Sequence, residues 1–133
     1  MLALIGRGLE PMIDLGPTMG TGALLISAAG FSAVTDNIPL AAMLSKIIAD
    51  MPVAGGGVRT AADPLWWSVI FGANLGGNLT PIGSASTLVA VTIIHKHNLK
   101  LSFVGFVKKA LPFAVVQIVM AVAYVLLVLP LFD

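Results

Sequence analysis

Four side chains that carry oxygen ligands stand beside helix-breaking residues in this sequence. They are Asp36, Asn37, Asn78 and Thr80. Carboxylate, amide and hydroxyl oxygens are hard ligands that suit a small cation such as Na⁺. Asp36 is also the only acid in a segment that we predict to lie within a membrane, where a carboxylate usually binds a cation or carries a proton. The simpler interpretation is that Asp36 caps a helix at a polar tip, and the two roles are compatible.

The composition is that of a membrane protein. Hydrophobic residues make up 58% of the 133 residues and charged residues only 10%, whereas soluble domains carry about 25% charged residues. The mean hydropathy is +1.02. These values exclude a soluble enzyme, a nucleic-acid-binding protein and a disordered tail. We therefore predict an all-α integral membrane protein that is not an enzyme.

The last uncharged segment is long enough to cross a membrane. A spanning helix needs about 20 apolar residues, and residues 110–132 meet this requirement. Gln117 and Tyr124 are the polar interruptions, and we assign them to packing between helices. The sequence thus predicts one full transmembrane helix at residues 110–132.

A second uncharged segment contains helix-breaking residues near its centre, which argue against a continuous helix. Residues 64–94 carry no charge, but glycines, Pro81 and asparagines lie near the middle. We predict a broken transmembrane helix over residues 64–95, with half-helices that begin at Pro64 and Pro81. Asp63 and Thr80 are their expected N-caps. The alternative role of Asn78 and Thr80 is helix capping alone, with the glycines serving close packing.

Asp36 and Asn37 belong to another interrupted segment. The part that follows, residues 38–57, carries Lys46 and Asp50 and is too short and too charged to cross a membrane. We predict that residues 16–57 form a re-entrant helical hairpin with Asp36 and Asn37 at its buried tip. The alternative is that residues 16–35 cross the membrane and the tip is a surface loop.

The remaining segments connect these elements. We predict an interfacial connector at residues 1–15 and an interfacial arm helix at residues 99–109. The cationic residues of the 96–109 loop are Lys96, Lys100, Lys108 and Lys109. By the positive-inside rule this loop is cytoplasmic, and the C-terminus is then external. We expect a multi-pass protein of the plasma membrane whose immediate surroundings are the lipid bilayer.

Two motifs at the breaks resemble a known family. Residues 32–40 read SAVTDNIPL and residues 76–86 read GGNLTPIGSAS, with Trp66 and Trp67 between them. Together they resemble the ion transporter superfamily, in its arsenite permease and sodium/proton antiporter branch, whose relatives are often labelled citrate-transporter-like. The resemblance extends from about Gly16 to the end of the chain.

The resemblance implies an inverted-repeat transporter in which this chain is the last part of the second repeat. A hairpin tip and a broken-helix loop together form one half of the cation-binding and substrate-binding site in that family. Carried over by motif, these residues are Thr35, Asp36 and Asn37 on the tip and Gly77, Asn78, Thr80 and Ser84 on the loop.

The expected function is that of a C-terminal fragment of a secondary active transporter. It would move a small ion or oxyanion coupled to Na⁺ or H⁺ by alternating access, with the coupling ion in place of any cofactor. The alternatives are a citrate or dicarboxylate symporter fragment, or a non-transporting membrane subunit that packs against a partner chain. The expected partners are the missing N-terminal repeat, in cis or as a separate chain, and a second copy in a possible homodimer.

Overall fold

The computed structural model describes residues 2–53 and 56–131, with side chains from residue 7 onward. This part of the chain is helical and contains no strand. The helices are α1 (Leu2–Ile13), α2 (Pro17–Ser32), α3 (Asn37–Asp50), α4 (Pro64–Gly76), α5 (Ala85–Lys96) and α6 (Phe103–Ala123). A π-helical turn, Tyr124–Val128, and a 3₁₀ turn, Leu129–Leu131, continue α6.

α2 and α3 form a helical hairpin whose tip is the four-residue break at 33–36. Their far ends lie together, because Pro17 and Thr21 line the same cavity as Pro52 and Val53. α2 has 16 residues and α3 has 14, which is short of the roughly 20 residues that a spanning helix needs. Neither arm of the hairpin is therefore long enough to cross a bilayer by itself.

α4 lies at the centre of the packing and contacts α2, α3 and α6. One hydrophobic cluster joins the two hairpin arms to α4 and α1, and its fully buried members include Leu24, Ile48 and Val69. A second cluster joins α2 to α6 and its continuation through Leu25 and Val125. The hairpin and the first half of the broken helix are thus one packed unit.

Small residues bring α2 and α4 into close contact. A Cβ atom added to Gly72 would lie 2.6 Å from the Cβ atom of Ala28, and one added to Gly76 would lie 2.6 Å from the Cα atom of Ala29. Gly72 and Gly76 are spaced as in the GxxxG pattern that lets membrane helices approach closely. This contact places the end of α4 against the end of α2, beside the hairpin tip.

The broken helix begins as predicted but resumes later than predicted. Asp63 caps α4 by accepting a hydrogen bond from the backbone N–H of Leu65. The second half, α5, begins at Ala85 with Ser84 as its N-cap, so the predicted start at Pro81 with a Thr80 cap is wrong. The hydroxyl of Thr80 donates to a carbonyl of the hairpin tip instead, and residues 77–83 form turns.

The C-terminal part is one helix where the sequence suggested two. α6 begins at Phe103, where the Ser102 hydroxyl accepts from the N–H of Gly105, and it continues through residue 110 without a break. No glycine or proline lies between Lys108 and Leu111 to interrupt it. Within the described residues, the 29-residue stretch Phe103–Leu131 is the one helix long and apolar enough to span a membrane.

Candidate functional site

The hairpin tip exposes the predicted ligands at its end. The hydroxyl of Thr35 donates to the carbonyl oxygen of Phe31 at 2.7 Å and closes the last turn of α2. Asp36 is the N-cap of α3, and its carboxylate accepts a long 3.5 Å hydrogen bond from the N–H of Ile38. The capping interpretation of Asp36 is therefore observed. The long bond leaves most of the carboxylate's acceptor capacity available, since the side chain is exposed.

The loop between α4 and α5 is compact because it closes on itself. A Cβ atom added to Gly77 would lie 2.9 Å from the carbonyl oxygen of Gly83, and one added to Gly83 would lie 3.0 Å from the carbonyl oxygen of Ser32. Both glycines, and Thr80 between them, are buried. Gly77 thus permits the two ends of the loop to approach closely, and Gly83 permits the loop to lie against the end of α2.

Three hydrogen bonds join the hairpin tip to the broken helix. The hydroxyl of Thr80 donates to the carbonyl oxygen of Ala33. The hydroxyl of Ser32 donates to the carbonyl oxygen of Ala73. The side-chain amide of Asn37 donates to Oδ1 of Asn74 at 3.4 Å. The two breaks that the sequence places more than 40 residues apart therefore meet in the folded chain.

Two of the predicted ligands form hydrogen bonds with residues outside the hairpin tip. The Ser84 hydroxyl lies 2.7 Å from the hydroxyl of Thr87 and accepts from the Thr87 N–H, so it serves as the cap of α5. The Asn78 amide donates to Oε1 of Gln117 on α6 at 3.3 Å. The tip and the loop are adjacent, but Asn78 connects the loop to α6 rather than to the tip.

The structure adds Asn74 to the residues that surround the tip. Asn74 lies one helical turn before Asn78, and its own amide donates to the carbonyl oxygen of Ile70 at 2.7 Å. That bond fixes Oδ1 of Asn74 toward Asn37. The i,i+4 spacing of two asparagines at the end of an apolar helix is the signal in the sequence that could have identified it.

The hairpin tip and the adjacent loop carry neutral oxygen ligands as well as one carboxylate. Thr80 uses its proton on Ala33 and keeps its lone pairs, and Asn37 uses its amide N–H₂ on Asn74 and keeps its carbonyl oxygen. Such oxygens, together with the carboxylate of Asp36, match the ligand preference of a hard monovalent cation. Among the described residues, no group of three or more His, Cys, Asp or Glu side chains is placed to hold a transition metal.

Comparison with known proteins gives one family and several relatives. The model of the family described as arsenical pump membrane protein matches residues 6–129. An uncharacterized transporter of Mycobacterium bovis is 32% identical over 110 residues, which are 82% of this chain and 25% of that protein. No solved structure matches the chain at a significant level.

Two further relatives come from distant organisms. An uncharacterized transporter of Synechocystis is 32% identical over an alignment of 136 positions including gaps, which covers 92% of this chain and 30% of that protein. The human P protein is 33% identical over 98 residues, which cover 71% of this chain and 11% of that protein. The chain thus spans at most 30% of the length of these relatives.

Proposed function

The chain belongs to the arsenical pump membrane protein family, whose members are membrane transporters rather than enzymes, and on this basis we propose that it is the C-terminal part of a secondary active transporter. The transporter moves a small ion or an oxyanion and couples this movement to Na⁺ or H⁺ by alternating access. The hairpin tip and the loop of the broken helix supply half of the binding site, with Asp36 as the charged group that senses the coupling cation.

The observation that carries this proposal is the contact between the two breaks. Irregular backbone at membrane depth is tolerated where it is buried in protein or lines a cavity. Here the break at 33–36 is bonded to the break at 77–84 through Thr80 and Ala33, and both of these residues are buried. Discontinuous helices of transporters present such backbone ends to ions and substrates.

The depth of the loop supports its assignment to the interior of the membrane. Asn78 bonds to Gln117 on α6, and Gln117 belongs to the uncharged segment that begins at residue 110. At 1.5 Å of rise per residue, Gln117 is about 11 Å inside the start of that segment. With α6 crossing the bilayer, the loop and the hairpin tip bonded to it lie within the hydrocarbon core, and α2 with α3 is a re-entrant hairpin.

A bound cation joins the two breaks in this proposal. The carboxylate of Asp36 and the carbonyl oxygen of Asn37 come from the tip, and the Thr80 hydroxyl comes from the loop. The N-terminal ends of α3 and α5 carry partial positive charge, which favours an anion nearby. A cation bound first offsets the Asp36 charge and so favours binding of an anionic substrate beside it. This order of binding gives coupled movement of the two ions.

The exposed surface of α5 is free, within the described residues, to contact further polypeptide or lipid. Val91 is its only buried residue, while Leu88, Val89 and Ile93 are all at least half exposed. We infer that this surface contacts the first repeat of the transporter, in cis or as a separate chain. A subunit that packs against a partner without transporting is the alternative that this exposed helix also fits.

The test is cation-driven flux by the complete transporter that contains this sequence, reconstituted in vesicles. Asp36→Asn keeps a good N-cap for α3, since Asn and Asp cap helices about equally, and removes the charge. We expect this variant to fold but to lose the dependence of flux on the Na⁺ or H⁺ gradient. Asp50→Asn, the same change at the exposed far end of α3, is the matched control and should transport normally.

Flux that still follows the cation gradient in the Asp36→Asn variant would contradict the proposed coupling role. Absence of any flux from the unaltered transporter, with arsenite, phosphate and dicarboxylates each supplied as substrate, would favour the non-transporting subunit. Flux of dicarboxylates alone would favour the symporter alternative.

A further inference from the structure

The connection between α5 and α6 borders a shallow cavity of about 470 Å³. Nε2 of His95 lies 2.8 Å from the carbonyl oxygen of Leu101 and must donate, because that oxygen can only accept. Asn98 has a φ of 59°, and the N–H of Leu99 after it donates to the carbonyl oxygen of Ile94. The connection therefore has a defined conformation that holds the end of α5 beside the start of α6.

The residues that line this cavity carry hydrogen-bond donors. They include Asn98 with its amide, Lys100 with its ammonium group and Ser102 with its hydroxyl. The oxygen of Ser102 accepts from the N–H of Gly105, which leaves its own proton for a ligand. None of the lining residues is acidic. The cavity therefore suits an anionic group with several acceptor oxygens, such as a phosphate.

Positive charge surrounds the cavity without a counter-charge. Lys96 precedes it on α5, Lys108 and Lys109 follow it on α6, and all three are exposed. The sequence has no acidic residue between positions 64 and 132. Within the described residues, the single ion pair joins Arg59 to Asp63 and involves none of these lysines. The field at this end of the structure thus attracts anions.

Exposed apolar side chains lie beside the lysines. Leu99, Phe103 and Val104 are each at least half exposed, and Val104 shares a face of α6 with Lys108, four residues later. Apolar and basic side chains on one surface are typical of elements that lie on an anionic membrane. A phosphate attached to acyl chains fits this surface better than free phosphate, which would leave the apolar side chains in water.

The depth of the cavity agrees with that of lipid headgroups. The uncharged segment that ends the chain begins at residue 110, and Phe103 lies seven residues before it, which is about 10 Å along an upright helix. The headgroup layer is roughly 5–8 Å thick on each side of a bilayer. The cavity therefore lies at the outer edge of that layer, where long side chains reach the phosphates.

We propose that the connection between α5 and α6 binds the phosphate of an anionic phospholipid. Asn98, Lys100 and Ser102 bind the phosphate, and the exposed apolar side chains beside them contact the glycerol and acyl groups. In the proposed orientation this lipid belongs to the cytoplasmic leaflet, which contains anionic lipids. The inference rests on the membrane crossing of α6 and does not require ion coupling.

The experiment measures thermal stabilisation of the complete, purified transporter in neutral detergent, with short-chain phosphatidylglycerol as the probe. We expect its melting temperature to rise with phosphatidylglycerol and much less with phosphatidylcholine of the same chain length. Lys100→Gln should raise the half-maximal concentration about fivefold, the effect of one lysine at an anionic surface. Lys46→Gln, the same change at an exposed position of α3, is the matched control and should leave that concentration unchanged.

A second variant separates a site at the cavity from a general attraction by the lysines. Asn98→Gly keeps the left-handed backbone, which glycine adopts readily, and removes the amide without changing the charge. We expect it to raise the half-maximal concentration about threefold. No change in this variant overturns the site. Should it fail to accumulate, Lys109→Gln decides in its place: an effect smaller than that of Lys100→Gln supports the site, and an equal effect overturns it.

Two further results would contradict the proposal. Equal stabilisation by phosphatidylcholine shows that the charge of the headgroup is not recognised. Equal stabilisation by inorganic phosphate at the same concentration shows a site for a free oxyanion rather than for a lipid. Flux that is independent of both cations overturns the proposed function instead, and leaves this inference standing.

Discussion

The hydroxyl of Thr80 donates a hydrogen bond to the carbonyl oxygen of Ala33, across 47 residues of sequence. Ala33 ends the first arm of the hairpin, and Thr80 lies in the break between α4 and α5. Both residues are buried. The carbonyl of Ala33 lies at the end of α2, where a helix offers it no hydrogen-bond donor. The hydroxyl of Thr80 supplies the hydrogen bond that water would otherwise make. It is the direct link between the two irregular segments on which the proposed ion site depends.

Thr80→Val should test this link, because valine has nearly the same shape and no hydroxyl. The buried carbonyl of Ala33 would lose its donor, which costs about 1–3 kcal/mol of stability. We expect a lower melting temperature in detergent and a weaker affinity for the coupling cation. Thr80→Ser keeps the hydroxyl and should retain the cation affinity. Equal melting temperatures for Thr80→Val and the unaltered protein would show that the bond contributes little.

Gly76 should be intolerant of any side chain, since it lies against the backbone of α2. A Cβ atom there would be 2.6 Å from Cα of Ala29 and 2.7 Å from its carbonyl carbon. Gly76→Ala must therefore separate α2 from α4, at a cost of about 1–3 kcal/mol that is typical of overpacking. Thermal unfolding of the purified protein measures this cost.

Gly30→Ala provides the matched control on the facing helix. Gly30 is exposed on α2, and a Cβ atom there meets nothing within 4 Å. Because alanine favours a helix by up to about 1 kcal/mol over glycine, this variant should be as stable as the unaltered protein or more so. If both variants unfold at the same temperature, the close approach of α2 and α4 does not hold the two breaks together.

The orientation can be measured with single cysteines, because the chain has none of its own. We expect Lys100→Cys, in the exposed basic connection between α5 and α6, to react with a membrane-impermeant maleimide only from the cytoplasmic side. Val58→Cys, at a position that is 92% exposed, should react only from outside. Labelling of both positions from one side would contradict the proposed broken transmembrane helix, since residues 64–95 would then not cross the membrane.

Local signals in the sequence identified some of these elements correctly. Asp63 followed by Pro64 predicted the start of α4, because a carboxylate cap and a proline in the first turn act within a few residues. The same reasoning failed at Thr80 and Pro81, which have the same pattern. There the hydroxyl is used by Ala33, a partner 47 residues away that no local pattern reveals, and α5 begins later at Ser84.

The candidate site was also predictable only in part, because local patterns in the sequence do not reveal partners that are distant along the chain. Breaks beside Asp36 and Asn78 are visible as polar and helix-breaking residues within uncharged segments. Which side chain each amide contacts depends on how the helices pack. The pairs Asn37 with Asn74 and Asn78 with Gln117 therefore emerge only from the folded chain.

The measurement that tests the central claim most directly is stabilisation of the purified transporter by its coupling cation. A ligand that binds only the folded state stabilises it by about 2.7 kcal/mol at 100 times its dissociation constant. We predict that Na⁺, exchanged for choline at constant ionic strength, raises the melting temperature of the unaltered protein and of Asp50→Asn. Asp36→Asn should show no such rise. An equal rise in Asp36→Asn would show that the cation binds elsewhere, and would contradict an ion site between the hairpin tip and the broken helix.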